Sequence, residues 1–198
     1  MLLMLNRPSP MAIIRTVALY VLILFTTFYV GLSFFFLICP FDQHFDTVTY
    51  AKYFQIVDGY MGRRMPYVGG GWLITIFLNL AIFANTWRQS PIFWMVLTCL
   101  LILVADMAFT GHEQLPINQD YQKMDMNHLT AAQIATLQKM RTQSDHNFGV
   151  RDIGQKAMYF MMSLTPFLLP GLNRRRAAMR AKPSLSTGPI LQPSRVLT

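Results

Sequence analysis

The sequence predicts an all-α protein, a transmembrane four-helix bundle with amphipathic helices in its two outer loops, and three observations lead there. Apolar residues make up 53% of the 198 and charged residues only 13%, about half the charged share of a soluble domain. Four apolar segments are long enough, at helical rise, to cross a bilayer core of about 30 Å. Charge is also segregated between the connecting segments, which a soluble chain has no reason to do.

The first span is Val17–Cys39, without a formal charge and closed by Pro40, whose missing N–H ends the helical ladder. Its apolar run is too long for the core of a secretory signal and lacks a small-x-small cleavage site, so the segment is expected to stay as an anchor. The second span, Tyr67–Ala84, opens on Gly69-Gly70-Gly71 and ends near Trp87 and Arg88, residue types that favour the membrane interface. The third, Pro91–Gly111, follows after the turn 86–90, so spans two and three form an antiparallel hairpin. The fourth covers 153–172 and contains Pro166, with its helix running back through Arg151 into the aqueous side. These elements divide the chain into an N-terminal segment 1–16, a membrane domain 17–172 and a basic tail 173–198 that is too polar and proline-rich to pack.

Four spans put both termini and the turn 86–90 on one side and the loops 40–66 and 112–152 on the other. The first side carries nine bases and no acid, and the remainder of the chain carries the other eight bases and all nine acids. Lys and Arg near span ends mark the cytoplasmic face, so both termini are expected there. The net charge of +8 is therefore topology, and no nucleic-acid partner is implied. Arg174-Arg175-Arg176 belongs to the same pattern. Cys39 and Cys99 are too few for a disulfide framework or a thiolate zinc site.

Each outer loop contains a helical pattern. Tyr50, Phe54, Val57 and Met61 recur at helical spacing in the first. In the second, Thr130-Ala-Ala-Gln133 is a capping box leading into the stripe Ile134, Leu137, Met140, which predicts a surface helix over 131–142.

The chemistry-bearing residues gather toward the outer side. All four histidines fall in the loops, which leaves no ligand for a haem between spans, and no Glu-x-x-His pair marks a di-iron site. His112-Glu113 after the third span and His146 before the fourth are candidates for an acid/base pair at the outer mouth, against the plainer reading of solvated loop histidines. Asp106 sits inside an apolar run, where a lipid-facing carboxylate would cost about 2.5–3.5 kcal/mol, so it should face the bundle interior. There it serves either a ligand or a hydrogen bond to Asn79, Thr26 or Thr27.

Two stretches carry a resemblance. Gly31-Leu-Ser-Phe-Phe-Phe-Leu-Ile-Cys-Pro40 followed by Tyr50-Ala-Lys-Tyr-Phe-Gln55-Ile-Val-Asp58, and then Leu115-Pro116-Ile117-Asn118 with His146 and Arg151 ahead of the last span, resemble the anthrone-oxygenase-like family of small four-span membrane proteins. The likeness covers roughly residues 17–172. Asp58 stands where that family usually has asparagine, and Asn147-Phe-Gly-Val makes the His146 to Arg151 gap longer than usual. The resemblance implies a small hydrophobic or aromatic ligand at the outer mouth, with oxygenase-like chemistry in the members that give the family its name. His112, Glu113 or His146 would be the base. Gln55, Asn118 and Arg151 would hold an oxyanion, with Asp106 beside them, and neither metal nor other cofactor is required. The competing reading is a non-enzymatic accessory or scaffold subunit in which the polar residues are packing glue and the outer helices dock a membrane-protein partner.

Overall fold

The computed structural model describes residues 9–181, excepting the side chains of 32, 36, 41 and 172–181. The described residues form helices and turns, with no strand. Helix α1 spans Pro10–Ile38, α2 Thr47–Ala84, α3 Pro91–Phe109, α4 Leu115–Lys123 and α5 Ala131–Ala181. A short 3-10 turn, Phe41–His44, precedes α2, and a π-helical turn, Thr110–Gln114, joins α3 to α4.

The starts of these helices follow local chemistry. Ser9 accepts from the Ala12 amide at 3.3 Å, with Pro10 in the first turn where its missing N–H costs nothing. Asp46 accepts from the amides of Val48 and Thr49 at 2.9 and 3.0 Å. At α5 the capping box forms as the sequence predicts: Thr130 Oγ1 accepts from the Gln133 amide at 3.3 Å, and Gln133 Oε1 accepts from the Thr130 amide at 2.8 Å.

The outer loops differ from the expectation in their continuity. The amphipathic segment of the first loop and the second span are one 38-residue helix, α2, about 57 Å long. Pro66 lies inside it and leaves the Gly62 carbonyl without its helical donor, yet packing on both sides carries the helix through. The surface helix 131–142 and the fourth span are likewise one helix, α5, of 51 residues and about 76 Å, which holds Pro166 and Pro170. Its backbone runs to Ala181, so the first part of the expected tail is helical, while 182–198 and 1–8 lie outside the described residues.

Three helices are long and apolar enough to cross a membrane: α1, α2, and α3 with its continuation through α4. Helix α5 is not one of them among the described residues, because Gln155, Lys156, Ser163 and Thr165 dilute its apolar stretch.

Two apolar cores form. In the first, α1, α2, α3 and α5 bury Leu22, Trp72, Ile76, Leu103, Met158 and Met162. Gly71 lies at the close approach of α1 and α2, where a Cβ would stand 2.8 Å from the Phe25 ring and the ring would have to shift. Polar groups here also tie α2 to α1, with Trp72 Nε1 donating to Thr26 Oγ1 at 3.1 Å and Asn79 Nδ2 donating to the Ala18 carbonyl at 3.0 Å. In the second core, Tyr50 and Ala51 of α2, Tyr121 of α4, Met126 of the connection after α4 and Leu137 of α5 pack together as a cap.

Candidate polar site between the two cores

Three helical runs pass from one core to the other, α2, α5 and α3 continued through the π-turn into α4, and each carries polar side chains between the cores. On α2 Asp58 separates Phe54 from Trp72; on α5 Ser144, Asn147, Arg151 and Gln155 separate Met140 from Met158. Between Leu103 of α3 and Tyr121 of α4 lie Asp106, Gln114 and Asn118. These side chains meet and form a belt with two centres.

The first centre is ionic. Arg151 Nε donates to Asp106 Oδ1 at 2.7 Å and Nη2 donates to Oδ2 at 3.4 Å, with the two side chains 15% and 5% exposed. Tyr29 of α1 donates its hydroxyl to Oδ2 at 2.6 Å, and Gln155 Nε2 donates to the same oxygen at 3.4 Å. The Tyr29 ring rests on Trp72 at 4.5 Å, and the Arg151 guanidinium lies 5.9 Å from the Phe148 ring. One carboxylate thus collects donors from α1 and α5. Burial removes water from the pair, so its geometry and extra donors must offset desolvation.

Asp106 does not reach Asn79, Thr26 or Thr27, the partners the sequence suggested for it. The hairpin closed by the turn before Pro91 sets Asn79 near that turn and Asp106 about ten residues of helical rise farther away, roughly 15 Å. A second ion pair, Asp152 with Lys156, lies one residue along α5, and Ser33 donates to the same Asp152 carboxylate.

The second centre is a chain of carboxamides with one direction. Gln143 Nε2 donates to Asn147 Oδ1 at 3.1 Å, Asn147 Nδ2 to Gln114 Oε1 at 3.1 Å, and Gln114 Nε2 to Asn118 Oδ1 at 2.8 Å. Asn118 Nδ2 then donates to Asp58 Oδ1 at 2.7 Å, and Gln122 Nε2 reaches the other Asp58 oxygen at 3.3 Å. An ionised carboxylate only accepts, so Asp58 fixes which way every amide in the line points. Gln114 also donates to Ser144 Oγ at 3.0 Å. Gln55 turns to the backbone instead, donating to the carbonyls of Tyr121 and Met124 at 2.5 and 3.0 Å.

The three residues proposed as acid/base groups stand outside both centres. His112 is 86% exposed and its Nδ1 meets its neighbour Glu113 at 2.9 Å, on the outward side of the π-turn. His146 is exposed on α5, off the face that carries Ser144, Asn147 and Arg151 inward. Of the proposed binding residues, Asp106 and Arg151 come together, Asn118 joins the carboxamide chain and Gln55 ties α2 to α4. Among the described residues no group of three or more His, Cys, Asp or Glu is placed to hold a metal ion.

Tyr29, Gln114, Ser144, Asn147 and Gln155 are belt members that the sequence reading did not single out. A signal for the last three was present: 144, 147, 151 and 155 fall at three- and four-residue steps, one stripe of a helix. Gln114 is turned inward by the π-turn, a distortion common at functional sites. Pro116 just after it cannot donate to the preceding turn, which is why the helix widens there.

The chain matches no protein-family model, no curated protein and no solved structure.

Proposed function

We propose that the protein spans a membrane four times, through α1, the second half of α2, α3 and the second half of α5, with both termini cytoplasmic. In this reading the first apolar core lies within the bilayer, the second forms an extramembrane cap, and the belt between them binds a small hydrophobic or aromatic molecule. The observation that carries the reading is the Asp106–Arg151 pair with Tyr29 and Gln155 around it. A buried ion pair gains little stability over well-packed apolar residues of the same volume. A charged and hydrogen-bonding centre beneath an aromatic cap supports recognition of a ligand with a polar edge and an apolar body.

The resemblance to the anthrone-oxygenase-like family supports the same class of ligand, and oxygenase-like chemistry is the finer part of the proposal. Its base would be His112, Glu113 or His146, and unchanged turnover in His112→Ala and His146→Ala would remove the two histidines from that role. Binding is tested with Trp72 as reporter, since its ring touches Tyr29. With Trp87 and Trp94 replaced by phenylalanine, anthrone should change Trp72 fluorescence saturably, and Arg151→Gln should weaken the response at least about tenfold, the loss of one charge-assisted bond. A response that is linear, or identical in Arg151→Gln, contradicts binding at the belt.

A second reading, a non-enzymatic accessory subunit, is favoured by one observation: the belt's donors and acceptors largely satisfy one another. That arrangement also suits a structural clamp holding the cap on the membrane body.

A further inference from the structure

Helix α2 carries one outward line along most of its length. Ile56, Tyr60, Arg63 and Arg64, Tyr67, Gly70, Ile74, Phe77 and Leu78, and Ala81 follow one another at three- and four-residue steps. From Ile74 to Ala81 the line is apolar, with Ile74, Phe77 and Leu78 all exposed. At Tyr67 its character changes: Tyr67 is 82% exposed, Arg63 and Arg64 are exposed above it, and Tyr60, 61% exposed, lies under the Arg64 guanidinium at 5.9 Å. The far end of the helix has a matching group. Trp87 and Trp94 meet edge-on at 5.9 Å, both exposed, and Arg88 stacks on Trp87 at 4.9 Å.

The spacing between the two groups acts as a ruler. Tyr67 to Ala84 is about 26 Å of helix, and the turn bearing Trp87 and Arg88 follows at once, so the aromatic groups stand close to the bilayer core thickness of about 30 Å apart. Tyrosine and tryptophan favour the edges of that core, where an apolar ring body and a polar tip are both accommodated. Arg63 and Arg64 then lie one turn beyond the edge on the cap side, at the depth of the lipid phosphates.

We propose that Arg63 and Arg64, flanked by Tyr60 and Tyr67, form a binding site for the phosphodiester groups of lipids in the leaflet on the cap side. The inference rests on the membrane-spanning reading above and adds which residues hold the lipid and at what depth. Guanidinium groups present planar donor pairs that match phosphate oxygens. Neither arginine belongs to an ion pair among the described residues. The nearest carboxylate in the chain, Asp58, points the other way, into the belt, where Asn118 and Gln122 hold it. The chemistry is thus complementary and uncontested: two cations, two interfacial rings, and an apolar stripe leading directly down from them.

The test uses the full chain purified in mild detergent and titrated with phosphatidylglycerol, the bound lipid being counted by native mass spectrometry. Arg63→Gln/Arg64→Gln should bind the lipid roughly tenfold more weakly or worse, since each basic residue near a headgroup contributes about a fivefold factor. Helix content should not change, because both side chains are exposed. Spin labels at Ile56, Tyr67 and Ile74, on a background with Cys39 and Cys99 replaced by alanine, supply the depth. The label at Ile74 should favour collisions with oxygen and that at Ile56 with a nickel chelate, with the crossover near Tyr67. Unchanged lipid binding by the double variant, a crossover elsewhere, or displacement of the lipid by equimolar inorganic phosphate would each overturn the site while leaving the membrane reading intact. Extraction of the wild-type chain from membranes by alkaline carbonate would instead bring down the membrane reading, and this proposal with it.

Discussion

Asp106 and Arg151 show what a single buried pair commits a chain to. Either residue alone would be a charge removed from water without a partner, so Asp106→Ala should destabilise the protein by about 3–5 kcal/mol in detergent-solubilised unfolding measurements. Asp106→Leu with Arg151→Met should recover most of that loss, and a double substitution no better than the single would show that the pair is not the source. Asp58 makes a different demand, since it orders a line of amides without being the strongest bond in it. Asp58→Ala should speed hydrogen exchange of the Asn118 and Gln114 side-chain amides, read by nuclear magnetic resonance, while leaving those of Gln55 unchanged because they bond to backbone carbonyls. Half of this was legible in the sequence. A carboxylate inside an apolar run announces itself, and Asp106 was identified that way; its partner, 45 residues away, was named only through the family resemblance. Gln114 and Asn147 were silent because carboxamides in polar segments look like solvated loop residues until the fold turns them inward.

Elements repeat the pattern, with their starts more legible than their lengths. Asp46 begins α2, and hydrogen bonds from the Thr49 hydroxyl and amide hold its carboxyl below the usual carboxylate range. A depressed carboxyl stabilises the fold above its ordinary pKa, and the contribution disappears as pH falls through the lowered value. Amide protection at Thr49–Ala51 should therefore drop on acidification below the ordinary aspartate range, and the drop should be absent in Asp46→Asn, which caps without titrating. Gly71 governs the α1–α2 contact: Gly71→Leu should cost about 1–3 kcal/mol through overpacking against Phe25, and an unfolding curve unchanged from wild type would show that the ring moves freely aside. The capping box at Thr130 was readable because its chemistry is local. The continuity of α2 through Pro66 and of α5 through Pro166 was not, because a proline's local cost is visible in sequence while the packing that overrides it comes from residues far along the chain.

At the scale of the whole molecule, two apolar cores enclose a polar belt, and the long helices α2 and α5 belong to both cores. Loops could not hold a cap in register over the ion pair as continuous helices do, and this is the physical meaning of the 38- and 51-residue lengths. Composition made the apolar body legible, since three helices are long and apolar enough to cross a membrane. It concealed the cap, whose residues alternate polar and apolar like any surface helix. The central claim is that the belt receives a small apolar molecule, and the most direct measurement is mass spectrometry of everything that co-purifies from native membranes in mild detergent, compared between wild type and Asn118→Ala. The account predicts a stoichiometric hydrophobic or aromatic compound in the wild type that is lost or strongly depleted in the variant. A stoichiometric protein partner with no such compound, in both forms, would contradict it and make the belt the clamp of an accessory subunit.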